Sequence, residues 1–473
     1  MIDRFTDLPR RSLTVDFAKG EGALDFRKHS FGLGGLMSAP APRKIVKRVS
    51  KLKPRMIRIF LQEYFYLYPN HGVFDWSKLD AYMEAVHNMG GDIMASICIK
   101  PKVLYPEVDE TVWMPNNVEE WQSVIRTLVL RYSKEKQYVT HWAIANEQDQ
   151  GEPGGCPYHI KTAEDYFEYY KITSAPIIEV LPEINVGGPS VTSWWERPMK
   201  YTERFVELCK LNNVRVDFTC YNTYHDNPSE HAAGARTMRD AIDKHNPNVK
   251  LYMTEFNIGI DDGLSLEEKP YQPKCAAALS ASILALYDDN ALDGSFHYHM
   301  YDQWCDPREF APWYSRPRYI AEYWNDKVNR VGLFDLDGKM RPQYFVYKLL
   351  YSLEGTRVNL TGDDDILRGI ASRTTDETLA VYITNHSELS NWDVKDTPEI
   401  VTQIQFQNAP EGVYKLNAYV LDEKLGEQMK DTSISTLTPR ESRTAYVHPD
   451  FHFDIYTPAD SVILLQLELL EKI

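Results

Sequence analysis

No two of the six cysteines (Cys98, Cys156, Cys209, Cys220, Cys275, Cys305) stand in a CxxC spacing, so neither a zinc knuckle nor a dithiol redox motif is spelled out. Buried, reduced thiols are the expectation. No stretch approaches the roughly 20 continuous apolar residues of a membrane helix, and the opening MIDRFTDLPRRSLTVDF lacks the unbroken apolar core of a secretory leader. The expected location is the cytoplasm, unless the chain is a mature form with its leader removed. Positive charge is scarce: 52 basic against 68 acidic residues give −16, which repels phosphate backbones. Neither nucleic acid nor a membrane is the expected partner; a neutral ligand is. No GxGxxG or GxxxxGK[ST] loop follows any strand-like segment, and Gly32-Leu33-Gly34-Gly35 has the wrong spacing for one. There is no internal repeat and no low-complexity segment.

A chain of 473 residues exceeds the size at which a single core stops growing, so one large domain and one smaller one are expected. Short apolar segments alternate with longer amphipathic ones from about residue 30 to residue 355. The strand candidates are 31–37, 56–61, 93–99, 138–145, 184–188, 216–221, 249–253 and 294–300. Helical patterns sit between them. The clearest starts at Asp75, a fitting N-cap, places Trp76, Leu79, Met83 and Val86 on one stripe and stops at Gly90-Gly91. A second carries Trp121, Val124, Ile125, Leu128 and Tyr132; a third, 275–287, is small and apolar enough to pack closely on a sheet. Eight strands with helical crossovers predict an α/β fold, a (β/α)8 TIM barrel. A doubly wound open sheet is the alternative, weakened by the missing phosphate loop.

After Gly355 the pattern changes to short alternating runs, 378–384, 402–406, 413–421 and 462–467, separated by turn-rich pieces. They predict an accessory antiparallel β-sandwich. The alternating Ser12–Phe17 predicts that an N-terminal strand joins it. The expected division is therefore 1–20 (sandwich strand), 21–356 (barrel) and 357–473 (sandwich).

Two runs carry the chemistry. Ala145-Asn146-Glu147 closes the fourth candidate strand and Thr254-Glu255-Phe256 the seventh, each placing a glutamate just past an apolar segment. They lie 255 − 147 = 108 residues apart, so they belong to separate strands that converge at a barrel mouth. Two such carboxyls suit glycosidic cleavage: one acid protonates the leaving oxygen and, in retaining enzymes, one carboxylate about 5 Å away attacks the anomeric carbon. Asn146 has an amide suited to the sugar hydroxyl beside the reacting carbon. Sugars also stack their C–H faces on rings, and Trp194, Trp195, Trp304, Trp313 and Tyr314 fall in the expected mouth loops, with Trp304 the expected glycone platform.

The order of these runs, the sixth-strand segment DFTCYNTY (217–224) and a closing Gly332-Leu333-Phe334, Asp337-Gly338, Arg341-Pro342 and Tyr344 resembles clan A glycoside hydrolases. Within the clan the chain is most similar to glycoside hydrolase family 39, which includes β-xylosidases and α-L-iduronidases; the likeness spans about residues 30–355. The resemblance implies retaining hydrolysis of oligosaccharides, β-xylosidase-like and without a cofactor, with Glu147 as acid/base and Glu255 as nucleophile. It further implies that Arg58, on the second strand, holds Glu255 ionised, and that Tyr224 hydrogen-bonds it. Phe60 and Asn222 stand where the family's xylosidases show histidine, close to sugar hydroxyls. Other glycones of the same clan (arabinoside, iduronide) and endo action stay open, as does a homo-oligomeric state.

Two other chemistries compete. His297 and His299, two apart on the eighth strand, share a side and could bind a metal, with His225-Asp226 as the further ligands of a barrel metallohydrolase. A non-catalytic sugar-binding scaffold is the third reading, opposed by the presence of both glutamates with Asn146, Arg58 and Tyr224. Arg316 and Arg318 could pair with a uronate.

Overall fold

The computed structural model of the chain describes residues 7–259, 271, 273–326, 329–375, 377–388, 397–449 and 451–473. Eight parallel strands close into a barrel: β1 (His29–Gly32), β2 (Met56–Gln62), β3 (Asp92–Cys98), β4 (Val139–Ile144), β5 (Asn185–Val191), β6 (Phe218–Tyr224), β7 (Lys250–Asn257) and β8 (Gly294–Tyr298). Each stands at an expected apolar run, with two notable shifts. β1 begins ahead of Phe31 and ends at Gly32, and β7 runs on to Asn257, so Glu255 lies within its strand rather than past the end.

All seven residues of β2 are buried, as expected of a parallel strand covered on both faces. Met56, Met94, Ala143, Phe218, Tyr252 and Phe296 form an apolar cluster in the barrel interior. Nearer the C-terminal strand ends the buried positions turn polar: Arg58, Ser96, Asn146, Ser190, Asn222 and Thr254. A buried polar layer must be mutually hydrogen-bonded, and this one is the floor of the mouth.

The helix behind Asp75 runs Ser77–His87, with Asp75 Oδ1 accepting from the Ser77 amide at 2.9 Å. That of Trp121 runs Val118–Val129, capped by Asn117 Oδ1, which accepts from the Glu120 amide at 3.1 Å. The third, Pro273–Asp289, is lined with buried Ala and Ser and lies between barrel and second sheet. There Ser280 Oγ meets Tyr382 Oη at 2.6 Å and Thr384 Oγ1 at 2.5 Å.

The second unit is one nine-stranded sheet whose strands all contribute to a single core, so it curls around its own apolar face. The N-terminal strand Arg10–Ala23 joins it, as the Ser12–Phe17 alternation predicts. The sheet is mixed rather than purely antiparallel: Arg10–Ala23 pairs antiparallel with Thr356–Thr361 but parallel with Ile400–Gln407. Strands so distant in sequence share no hairpin, and only a hairpin would force the antiparallel direction. All six cysteines are buried, and none is joined in a disulfide. Among the described residues no helix is long and apolar enough to cross a membrane.

Candidate active site

Past β4 the chain turns sharply, with Ala145 at φ 66° and Glu147 at φ 45°, both in the left-handed region that L side chains avoid at roughly 1–2 kcal/mol each. Hydrogen bonds hold the turn: the Glu147 amide donates to Ser190 O at 2.6 Å, and the Glu147 carbonyl accepts from the Gln150 and Gly151 amides, both at 2.9 Å. Two residues thereby face the mouth in succession. Asn146 Oδ1 accepts from Arg58 Nη2 at 2.5 Å, and Glu147 Oε1 accepts from Asn222 Nδ2 at 2.6 Å.

β7 reaches the same place by a bulge. Tyr221 of β6 pairs with Met253 and Asn222 with Glu255, leaving Thr254 as an extra residue. Strict alternation would send Thr254 and Glu255 to opposite faces. With the bulge both turn inward: Thr254 Oγ1 lies 3.0 Å from Ser190 Oγ, and Glu255 Oε1 accepts from Arg58 Nη1 at 2.9 Å. The other oxygen, Oε2, accepts from Tyr224 Oη at 2.6 Å. Arg58 is wholly buried; its Nε donates to Ser96 Oγ at 3.2 Å, and its guanidinium lies 4.0 Å from the Phe60 ring centre.

Burial, and then the charge of Glu255, hold the Glu147 carboxyl well above the usual carboxylate range, while the Asn222 amide pulls the other way. Burial and Glu255 likewise raise the Tyr224 phenol, which keeps its proton for Oε2. The pair combines a carboxyl disposed to stay protonated with one whose two oxygens each meet a donor.

The mouth is a cavity of about 460 Å³ lined by both glutamates, Asn146 and Tyr224. Its further aromatic walls are Phe60, Trp195, Tyr298, Phe310, Tyr319, Tyr323 and Trp324. Trp304 is a correction: it is 56% exposed, does not line the cavity, and has Arg330 over its ring at 5.6 Å. The loop after β8 folds back through the helices Pro307–Phe310 and Pro317–Asn325, so the second helix, not the first loop residue, delivers rings to the mouth. Trp195 does line it, whereas Trp313 and Tyr314 are buried and Tyr314 Oη donates to Gly155 O at 2.5 Å. Trp194 packs against Gly234.

His297 and His299 do not converge on a shared point. His297 Nε2 lies 3.4 Å from Asn257 Nδ2, and burial lowers the imidazole to about 3. His299 Nε2 meets Asp302 Oδ1 at 3.2 Å, and Asp302 is itself paired with Arg341. His225 Nδ1 accepts from the Asn227 amide at 3.0 Å. Among the described residues no three His, Cys, Asp or Glu side chains are grouped to hold a metal ion. Arg316 and Arg318 lie outside the cavity lining.

The sequence reading passed over Ser190, Thr254, Tyr298 and Trp324. Trp324 had a signal, since Tyr319, Ile320, Tyr323 and Trp324 fall on one helical stripe. The hydroxyls had none, because their role depends on the bulge.

The model of the family "Glycosyl hydrolases family 39" matches residues 69–431 of the chain. A β-xylosidase of Caldicellulosiruptor saccharolyticus is 23% identical over 312 residues, covering 62% of this chain and 58% of that protein. An α-1,4-L-rhamnosidase of Formosa agariphila is 28% identical over 155 residues, 30% of each chain. The chain thus spans little more than half the length of one of these relatives and under a third of the other. The crystal structure of a monomeric β-xylosidase from Caulobacter crescentus CB15 superposes with a TM-score of 0.74 at 18% identity, over 97% of this chain and 100% of that one.

Proposed function

The chain belongs to glycosyl hydrolases family 39, and on that premise we propose that it cleaves glycosidic bonds of oligosaccharides by double displacement, with retention at the anomeric carbon. One observation carries the reading: Glu255, with Arg58 on one oxygen and Tyr224 on the other, shares a cavity with a second glutamate whose carboxyl is held high.

In the first step a Glu255 oxygen bonds to the anomeric carbon as the bond to the leaving oxygen breaks, and the Glu147 proton passes to that oxygen. In the second, Glu147 takes a proton from water, the water oxygen bonds to the anomeric carbon, and the bond to Glu255 breaks. Asn146, its Oδ1 held by Arg58 and one Nδ2 hydrogen directed to Gly154 O at 3.4 Å, keeps its second Nδ2 hydrogen for the neighbouring sugar hydroxyl, a bond that tightens as positive charge develops.

The lining favours a neutral pyranoside without a C6 hydroxyl. Among the described lining residues there is no Lys or Arg to meet a uronate, and Leu36, Phe60, Phe310 and Ile320 offer no polar partner. β-Xylosides are the first substrates to test. α-L-Rhamnosides are the second, since a 6-deoxy sugar meets the same apolar surface and a rhamnosidase is among the relatives. The test is a panel of nitrophenyl xylosides, rhamnosides, arabinosides and iduronides, with the first-formed anomer followed by proton NMR. Turnover of an uncharged glycoside with retained configuration supports the reading; an inverted first product, or turnover of iduronides alone, contradicts it.

A further inference from the structure

The extra residue in β7 has a use of its own. Thr254 Oγ1 donates to Asn222 Oδ1 at 2.9 Å, a shorter contact than its 3.4 Å to Tyr221 O. With the Thr254 hydrogen committed there, the hydrogen between Thr254 and Ser190 (3.0 Å) comes from Ser190, which also lies 3.3 Å from Asn146 Oδ1. The hydroxyls form a directed chain, Ser190 to Thr254 to Asn222, and all three residues are wholly buried.

An asparagine amide has two nearly isosteric ends, and only its partners decide which end points where. Asn222 faces Glu147 with that choice to make. With the NH2 toward Glu147, Oε1 is an acceptor and Oε2, beside Gly154, is left to carry the proton. With the amide reversed, its oxygen would face Oε1 and draw the proton onto the wrong oxygen.

We propose that Thr254, turned into the barrel by the bulge and joined to Ser190, is a positioning residue that fixes the Asn222 amide with its NH2 toward Glu147. The inference rests on Glu147 being the acid/base. The direction of the Asn222 amide dipole toward Glu147 is thereby set from behind. The charged and titratable groups around Glu147 are Glu255 on β7, Arg58 on β2, Asp149 on its own loop, and Tyr224 and Tyr298 at the ends of β6 and β8. None of them is altered by removing the Thr254 hydroxyl.

The test is Thr254→Val against Thr254→Ser, with folding checked by thermal melting and kcat/KM followed against pH on glycosides with poor leaving groups. In the valine variant the amide is free to reverse, Glu147 holds its proton more tightly, and the basic limb moves up by about one pH unit. Serine restores the wild-type limb. A folded Thr254→Val enzyme with an unmoved basic limb overturns the proposal. Should that variant fail to fold, Thr254→Ala carries the test: the limb moves in the same direction, and an unmoved limb overturns it. Glu147→Ala separates this inference from the reading beneath it. If its losses are the same for good and poor leaving groups, the acid/base role fails whatever Thr254 does.

Discussion

Arg58 Nη1 donates to Glu255 Oε1 at 2.9 Å, and the two side chains are 0% and 7% exposed. A pair this buried is a poor stabiliser taken alone, because desolvating both charges offsets their attraction. Its retention is better explained by position: one planar guanidinium reaches Ser96, Asn146 and Glu255 together and aligns two mouth residues from different strands.

Arg58→Lys is therefore not conservative, since an ammonium cannot hold those three partners in one plane. The expected loss in kcat is roughly 100-fold or more, with a thermal midpoint lower by several degrees. Steady-state kinetics beside calorimetry checks it; wild-type kcat in the lysine variant would contradict the positioning role.

Gly154 approaches Glu147 so closely that a Cβ there would stand 2.2 Å from Oε2. Gly154→Ala must displace the acid/base carboxyl. Activity should fall about tenfold or more on substrates with poor leaving groups and much less on dinitrophenyl glycosides, which need little protonation. Equal losses on both would show that the alanine disturbs something other than proton transfer.

Trp304, Trp313 and Trp324 are the three tryptophans of the β8 loop region, and of them only Trp324 lines the cavity. Trp324→Ala should lower kcat/KM by roughly fivefold, the worth of one lost ring contact of about 1 kcal/mol, whereas Trp304→Ala should stay within about twofold. The reverse ranking would mean that sugar binds outside the cavity described.

Glu63 follows Gln62 on a buried helical turn, and burial pushes its carboxyl up to about 8 against the hydrogen bond from the Lys100 amide. The folded state keeps this proton while the unfolded chain loses it above the ordinary 4.5. Stability thus falls as pH rises from about 4.5 to about 8. Glu63→Gln, which keeps an acceptor for Lys100, should stabilise by about 3 kcal/mol at pH 8 and by little at pH 5. Denaturant unfolding at both pH values measures it, and an equal effect at both would rule out the ionisation.

The barrel was legible because parallel strands buried on both faces read as largely apolar runs, and Met56–Gln62, with Arg58 its one charged residue, is such a run. The glutamates were legible because a carboxylate at an apolar strand end must be paired or working. Strand-level pairing was less so. That Arg10–Ala23 lies parallel to Ile400–Gln407 depends on a contact nearly 400 residues distant, and alternation alone carries no direction. Trp304 was misplaced because order in sequence says nothing about which part of a folded loop returns to the mouth. Thr254 was invisible because a strand's period of two assigns it to the opposite face from Glu255, and only the bulge reverses that assignment.

The central claim is that Glu255 attacks the anomeric carbon, and it is tested most directly by covalent trapping. An activated 2-deoxy-2-fluoro xyloside, or the rhamnoside equivalent, forms the glycosyl ester faster than water removes it, and peptide mapping locates the label. The expected result is a single label on the peptide containing Glu255, absent in Glu255→Ala. A label on Glu147, or none with any glycone the enzyme turns over, would contradict the account.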